Sequence, residues 1–203
     1  MDILLIVGHP NADSFNHAIA RTAKEELEAA GHTVHLHDLY AEGFDPVLPP
    51  EEISREGVSD PLVNRHCEEL RSADGIVIVH PSWWGQPPAM VKGWVDRVFR
   101  AGVAYRFEAT SSGEGIPVGL LKARKAVVFN TANSTPKQEW GALGDPLESM
   151  WDNTVLGFCG IEDFRRKLYA PVIISSDEQR RLWLADVRET VAEVFAPSTA
   201  SAR

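Results

Sequence analysis

The chain has 203 residues and a mass of 22.4 kDa, with 44% hydrophobic residues, 24% charged residues and a formal net charge of −9. This length and composition are ordinary for one packed domain and exclude a mainly disordered chain. The acidic balance makes nucleic acid a poor partner, because binding its phosphates depends on Lys and Arg. The two cysteines, Cys67 and Cys159, are too few for a disulfide framework and are typical of a reducing compartment.

Membrane and targeting signals are not visible in the sequence. The apolar runs fall short of the ~18 residues that a membrane helix needs, and no basic leader precedes the first run. We therefore expect a cytoplasmic protein that does not insert into a membrane. Hydrophobic periodicity extends to residue 196, whereas residues 197–203 lack it and are expected to be a disordered tail. This pattern predicts a single domain over residues 1–196.

Short apolar runs alternate with segments of helical spacing along the chain. Strands are predicted at residues 2–8, 33–39, 76–80, 125–131 and 164–174. Helices are predicted at residues 14–30, towards the end of 51–73, from 87 to 100, at 145–158 and at 177–195. This alternation favours an α/β fold, with a parallel sheet covered by helices on both faces. Five strands fit the flavodoxin-like doubly wound order, in which ligands bind at the carboxyl ends of the strands near the switch point.

The first candidate loop runs from Gly8 to Asn16, between the first strand and the first helix. Free N–H groups and the dipole at a helix N-terminus favour an anion, and Ser14 and His9 add donors. The loop lacks the Gly-Lys pair of a P-loop and the glycine triplet of the dinucleotide fingerprint. A phosphate site and a plain helix cap beside a buried histidine both remain open.

The second candidate loop, Pro81 to Pro88, places Trp83, Trp84 and Gly85 after a buried strand. Indoles can stack on a flat ring, and the backbone beside a glycine can approach a heteroaromatic edge closely. The alternative is that both tryptophans belong to a core or an interface. The third loop, residues 130–136, is rich in donors that suit the polar edge of a ring, although ordinary turns use the same residue types.

Metal and hydrolase chemistry find little support in the sequence. His35 and His37 share one face of the second strand, but no pattern of Cys or carboxylate partners accompanies them, so we expect no metal site. The chain also lacks the Gly-x-Ser-x-Gly elbow that presents a nucleophilic serine.

Together the three loops resemble the flavin-dependent NAD(P)H:quinone oxidoreductase family, a flavodoxin-like group that includes drug-modulator proteins and ancillary subunits of potassium-efflux systems. The most specific stretches are His9-Pro10 with Ser14-Phe15-Asn16, the long segment from Pro81 to Phe99, and Gly102 to Tyr105. Shorter matches are residues 121–126 and 158–160. The resemblance covers most of the chain.

The resemblance implies a role for each loop. It places His9, Ser14, Phe15 and Asn16 at the flavin phosphate or pyrophosphate, and Ser82, Trp83, Trp84 and Gly85 along the isoalloxazine. Asn130, Thr131, Ala132 and Asn133 match residues at the pyrimidine edge of the flavin. Tyr105 and Phe107 match residues that wall the substrate pocket from across a homodimer interface.

One position departs from the family pattern. A Gly-x-His-Gly motif, whose histidine helps to balance charge on the reduced flavin, corresponds here to Gly141-Ala142-Leu143-Gly144. Leu143 cannot donate a hydrogen bond. Trp140 stands near the position of a family tyrosine and carries one indole N–H, so we expect it to act in catalysis in that place.

The resemblance implies two-electron reduction of a quinone or a similar planar acceptor by NAD(P)H, through a bound flavin and by a ping-pong mechanism. FAD and FMN both fit the first loop, NADH and NADPH are both compatible with the sequence as donors, and the acceptor could be a quinone, a nitroaromatic compound, an azo dye or a free flavin. Two other functions are compatible with a flavin site: a regulatory subunit of a membrane transport system, and a flavodoxin-like electron carrier.

Overall fold

A five-stranded parallel sheet forms the centre of the protein, whose computed structural model describes residues 1–53, 60–109 and 114–196. The strands are β1 Asp2–Val7, β2 Thr33–Asp38, β3 Gly75–Pro81, β4 Tyr105–Ala109, β5 Gly115–Gly119, β6 Lys125–Thr131 and β7 Asp163–Tyr169. The parallel sheet has the order β2-β1-β3-β6-β7, while β4 and β5 pair separately as an antiparallel hairpin. This order confirms the predicted flavodoxin-like doubly wound fold.

Helices cover both faces of the sheet. They are α1 Phe15–Ala29, α2 Pro50–Ile53, α3 Pro61–Ser72, α4 Ala89–Val98, α5 Pro136–Leu143, α6 Pro146–Ser149 and α7 Asp177–Val194. Along β1, Ile3, Leu5 and Val7 face the layer of α1 and α7, whereas Leu4 and Ile6 face the layer of α3 and α4. Because successive side chains of a strand alternate between faces, a strand buried on both sides is apolar throughout. This explains the continuous apolar run at the start of the chain.

The structure differs from the predicted elements in four places. Strand β7 ends at Tyr169 instead of residue 174, because Pro171 has no N–H for the ladder and Ile173 and Ile174 are exposed loop residues. The helix predicted at 145–158 is instead α6, a π-helical segment Met150–Leu156 and a 3₁₀ turn Gly157–Cys159. The hairpin β4–β5 and helix α5 were not predicted.

The ends of the chain and its membrane character are only partly described. The predicted tail at residues 197–203 lies outside the described residues, and the assignment of residues 1–196 to one domain stays a prediction. In the described part of the chain, no helix combines the length and the apolar character that crossing a bilayer requires.

Candidate functional site

The loops after β1, β3 and β6 surround one cavity at the carboxyl edge of the sheet. Its volume is about 800 Å³, within the range of small-molecule and cofactor sites. The lining comprises His9, Ser14, Phe15, Asn16, Pro81, Ser82, Trp83, Trp84, Gly85, Thr131, Ala132, Asn133, Ser134, Glu139 and Val172. The structure therefore brings together all of the predicted cofactor contacts except Asn130.

The first loop is held by its own hydrogen bonds and leads into α1. The Asn11 side chain accepts from the backbone N–H of Asp13 at 2.9 Å, and Ser14 N donates to the Asn11 carbonyl at 3.0 Å. Ser14 caps α1, because its Oγ accepts from the backbone N–H of His17 at 3.3 Å. Since Ser14 also lines the cavity, the cap and the candidate anion site are the same structure.

His9 contributes an imidazole ring to the cavity. Burial lowers the pKa of His9 below its ordinary value, and the nearby His17 ring lowers it further, against a hydrogen bond with the Asn11 backbone that raises it. His9 Nδ1 lies 3.1 Å from the backbone nitrogen of Asn11, from which it can accept, and 3.2 Å from the Asn11 carbonyl oxygen, to which it can donate. Asn11 therefore holds the ring through Nδ1 in either neutral tautomer.

The second loop reverses direction in a two-residue turn. Trp83 and Gln86 exchange two backbone hydrogen bonds of 3.0 Å, and the residues between them, Trp84 and Gly85, have φ of 57° and 67°. Such φ values suit glycine but strain a bulky side chain. The Trp84 side chain is 99% exposed, so no packing within the described chain offsets this strain. Residues held in this way cluster at functional sites.

Glu139 is a cavity residue that sequence reasoning missed. It lies on α5, is buried, and accepts hydrogen bonds from Ser82 Oγ at 3.2 Å and from Ser134 Oγ. It thereby joins the second loop to the third. The signal for its placement was present, because Thr135 and Gln138 form a capping box that starts a helix directly after the third loop.

The third loop is anchored from both sides. Thr131 Oγ1 and the Asn16 side chain are hydrogen bonded at 3.0 Å, and the Thr131 carbonyl accepts from Ser82 N at 2.6 Å. The Asn133 side chain accepts from the backbone N–H of Ile173 at 3.0 Å. These bonds fix the third loop relative to the other two and to the segment that follows β7.

Asn130 is the one predicted cofactor contact that is absent from the cavity lining. Its side chain is completely buried, donates to the His80 carbonyl at 3.2 Å and accepts from Arg166 Nη1 at 3.1 Å. His80 Nδ1 donates to the Pro81 carbonyl at 2.8 Å, and Nε2 accepts from Trp151 Nε1 at 3.0 Å. Burial lowers the pKa of His80 to about 4. Asn130 therefore belongs to a network beneath the cavity, and its contact with the pyrimidine edge of a flavin stays a prediction.

Three other predicted residues lie outside the cavity of this chain. Trp140 is about half exposed and is absent from the lining, which takes its neighbour Glu139 instead. Tyr105 and Phe107 lie on β4, where their rings pack against each other at 5.7 Å and Tyr105 packs against Phe158 at 5.1 Å. Their expected role depends on a second copy of the chain and stays a prediction.

The cavity contains little charge. None of the described residues that line it is Lys or Arg, and Glu139 is the one acid among them. A bound phosphate would therefore be held by the N-terminus of α1 and by hydroxyl and ring donors, an arrangement that helix N-termini are able to provide.

A second cluster of polar side chains lies between β2 and α3. His37 Nδ1 lies 2.8 Å from Glu42 Oε1, and its Nε2 contacts Glu69, so the interpretation that His37 lacks carboxylate partners is wrong. Glu42 lies five residues after His37, in the loop beyond β2, and Glu69 lies 32 residues away, so no regular strand or helix spacing marks either partner. His66 Nε2 lies 3.1 Å from Glu42 Oε2, while its Nδ1 accepts from Trp94 Nε1 at 2.9 Å.

The side chains of His37, Glu42 and His66 lie close enough together to hold a metal ion, but the hydrogen bonds argue against one. Burial, followed by the His37 ring, lowers the pKa of His66 to about 4, so this ring is neutral. Because Nδ1 accepts from the buried Trp94, the single proton resides on Nε2 and is donated to Glu42. Metal ligation at Nε2 would break the Trp94 bond and leave a buried indole N–H unpaired. The cluster is therefore a hydrogen-bonded network.

Comparisons with known proteins agree with the fold. A family model described as flavodoxin-like fold matches residues 1–190. An NAD(P)H oxidoreductase of Haemophilus influenzae, described as uncharacterized, is 33% identical over 186 residues, covering 89% of each chain. Ribosyldihydronicotinamide dehydrogenase [quinone] of Rattus norvegicus is 29% identical over 206 residues, covering 90% of this chain and 87% of the relative.

A solved structure extends the agreement to three dimensions. The NAD(P)H:quinone oxidoreductase from Methanothermobacter marburgensis superposes with a TM-score of 0.81 and 26% identity, covering 94% of this chain and 95% of its own. The family match spans nearly all of the described residues, including the three loops around the cavity. This chain belongs to the flavodoxin-like fold family.

Proposed function

We propose that this protein is a flavin-dependent NAD(P)H:quinone oxidoreductase that passes two electrons, as a hydride, from NAD(P)H to a quinone or a similar planar acceptor. The observation that carries the proposal is the convergence of three loops, at the carboxyl edge of the sheet, on one cavity. The names of the relatives from Haemophilus influenzae, Rattus norvegicus and Methanothermobacter marburgensis support this reaction class.

The residues of the cavity fit a flavin nucleotide. The N-terminus of α1, with the Ser14 hydroxyl and the His9 ring, suits a phosphate. The indoles of Trp83 and Trp84 suit the flat faces of a tricyclic ring, and the Thr131 to Asn133 segment offers donors for a polar edge. The volume of about 800 Å³ accommodates such a ligand.

In the proposed mechanism the bound flavin supplies the hydride chemistry, and the chain supplies binding, orientation and exclusion of water. Ser14, which caps α1, and the first turn of that helix would hold the phosphate end. The strained turn at Trp84 and Gly85 forms the outer wall, and Glu139 keeps the second and third loops at a fixed separation through Ser82 and Ser134. Nicotinamide and acceptor would use the same side of the cavity in turn, which gives ping-pong kinetics.

The substrate pocket of this enzyme would be completed by a second copy of the chain. The hairpin β4–β5 carries Phe107 and Ile116, which are 57% and 54% exposed, and apolar side chains of this size favour burial in an interface. We therefore propose a homodimer in which Tyr105 and Phe107 of one copy wall the pocket of the other. Sedimentation velocity tests this assembly, and a monomer at working concentration would contradict it.

The cofactor and the reaction are tested together. Mass spectrometry of the released cofactor distinguishes FMN from FAD, and oxidation of NADH and of NADPH is then measured with menadione as acceptor. We expect turnover, with parallel lines in double-reciprocal plots of initial rate when both substrates are varied. Intersecting lines in these plots would contradict a pocket that the two substrates share. Bound flavin without turnover would favour an electron carrier or a regulatory subunit of a transport system, and absence of flavin would refute the proposed function.

We also propose a cytoplasmic location. The two free cysteines, Cys67 and Cys159, are buried, and burial raises their pKa to about 11 and about 12. Unpaired thiols of this kind suit a reducing compartment.

A further inference from the structure

A chain of hydrogen bonds runs from Ser14, in the cavity lining, to Asp38 at the end of β2. Ser14 Oγ lies 2.9 Å from His17 Nδ1, and His17 Nε2 lies 2.9 Å from Asp38 Oδ2. His17 is buried, with 8% of its surface exposed, and it does not line the cavity. Asp38 is fixed in turn, because its other oxygen accepts from the backbone N–H groups of Tyr40 and Ala41 at 3.1 and 3.2 Å.

The proton positions along this chain follow from the partners. Asp38 accepts hydrogen bonds, so His17 Nε2 carries a proton and donates it to the carboxylate. When His17 Nδ1 has no proton, it accepts from Ser14 Oγ, and the serine hydrogen is used inside the protein. When Nδ1 is protonated, it donates to Ser14 Oγ, and the serine hydrogen becomes available to the cavity.

We propose that His17 is a positioning residue that couples phosphate binding to proton uptake, by turning the Ser14 hydroxyl from an internal donor into a donor towards a flavin phosphate. The inference rests on the proposed function, which places the phosphate end of the flavin at the first loop. According to this inference, the protein prefers phosphorylated flavins to riboflavin more strongly when His17 is protonated.

The surroundings of His17 make this coupling effective. The cavity lining within the described residues has no Lys or Arg, so a protonated His17 one hydrogen bond behind Ser14 would supply positive charge near the phosphate. The titratable groups that face His17 are Asp38, whose carboxylate accepts from His17 Nε2, and His9, whose ring centre is 6.4 Å away. Burial lowers the pKa of His9, which disfavours a charge on that ring.

The experiment compares FMN with riboflavin, which lacks the phosphate. Dissociation constants are measured with the flavin-free full-length protein by quenching of flavin fluorescence, at about pH 5.5 and about pH 8.5, on either side of the usual histidine titration. The test variant is His17→Asn, which cannot titrate but keeps polar atoms near Ser14. Riboflavin binding reports whether the variant retains the folded cavity.

We expect His17→Asn to weaken FMN binding on the order of tenfold at the acidic pH, as loss of a charge-assisted hydrogen bond implies, and to have little effect at the alkaline pH. Ionisation of the FMN phosphate changes binding equally in variant and wild type, so its effect cancels when their dissociation constants are compared as a ratio at each pH. Riboflavin binding should change little at either pH. Equal FMN affinities of variant and wild type at both pH values would overturn the proposal.

A double-mutant cycle separates action through Ser14 from a simple charge effect. In a Ser14→Ala background the acidic-pH effect of His17→Asn should largely disappear, and an undiminished effect would contradict the positioning role. If His17→Asn fails to fold, the wild-type ring is followed by NMR instead. Its titration midpoint should move to higher pH with FMN and stay in place with riboflavin, and identical midpoints would overturn the inference.

Failure of the inference can be distinguished from failure of the proposed function. A wild-type protein that binds neither FMN nor FAD refutes the function itself. A protein that binds FMN equally well with and without His17 retains the function and refutes only the coupling.

Discussion

Acid sensitivity of the network beneath the cavity is a direct test of the reasoning about buried histidines. Burial lowers the pKa of His80 from 6.5 to about 4 in the folded protein. The unfolded chain therefore binds a proton at this residue between these pH values, while the folded chain does not. Because the unfolded state binds more protons, the free energy of unfolding falls as the pH drops through this window, and it is restored above the unfolded pKa.

The magnitude follows from the two pKa values. Lowering the pH from about 7 to about 5 should remove about 1.8 kcal/mol of stability through His80 alone. That is a substantial share of the ~5–15 kcal/mol that stabilises a typical domain. Other groups also titrate in this range, so the contribution of His80 is isolated by comparing wild type with His80→Gln.

The assay is urea unfolding at both pH values. Gln has an oxygen that can accept from Trp151 Nε1 in place of His80 Nε2, and it does not titrate. We expect His80→Gln to be less stable at neutral pH but to lose about 1.8 kcal/mol less than wild type on acidification. His35→Gln, at an exposed position on β2, is the matched control and should behave as wild type does. Equal acid losses in wild type and His80→Gln would refute the reasoning.

Four further substitutions test separate parts of the structure. Ser14→Asp places a carboxylate at the proposed phosphate site and should yield flavin-free protein, whereas purification with full flavin occupancy would show that the first loop is misassigned. Trp84→Gly relieves the strain of the positive φ, so the free energy of unfolding measured in urea should rise by about 1 kcal/mol. Flavin retention or turnover should fall at the same time. Unchanged stability and activity would contradict both the strain at Trp84 and its role in the flavin site. Glu139→Ala removes the acceptor that Ser82 and Ser134 share, and it should weaken flavin binding on the order of tenfold. Glu139→Gln keeps an acceptor oxygen and should weaken binding less. Similar flavin affinities of the two variants would argue against a role of Glu139 in joining the second and third loops. Arg97→Met leaves the buried Glu52 carboxylate, 3.0 Å from Arg97 Nε, without its partner and should cost about 3–5 kcal/mol, part of which Glu52→Gln should restore.

The sequence was most informative where burial leaves a regular pattern. The doubly wound sheet followed from apolar runs that alternate with helical segments. The hairpin β4–β5 was missed because most of its residues are exposed and Pro117 lies within it, so neither alternation nor a continuous apolar run marks it. The length of β7 was overestimated because Ile173 and Ile174 continue an apolar pattern while lying in a loop.

At the site, the sequence identified the loops better than the direction of each side chain. Thr131 and Asn130 are neighbours on β6, and neighbouring side chains of a strand point to opposite faces. Thr131 therefore lines the cavity while Asn130 joins His80 on the opposite side. This alternation could have predicted from the sequence that the Asn130 side chain does not line the cavity. The capping box of Thr135 and Gln138 could have predicted the helix that carries Glu139, whereas the contacts of Glu139 with Ser82 and Ser134 depend on the tertiary structure.

The paired indoles at the second loop also provide an optical probe. Trp83 and Trp84 border the cavity. Indole emission overlaps the near-ultraviolet absorption of flavins, so a flavin at this distance would accept their excitation energy. Loading of the cavity should therefore appear as a loss of intrinsic tryptophan fluorescence, and Trp84→Phe should diminish that signal, so that cofactor exchange can be followed in time without any label.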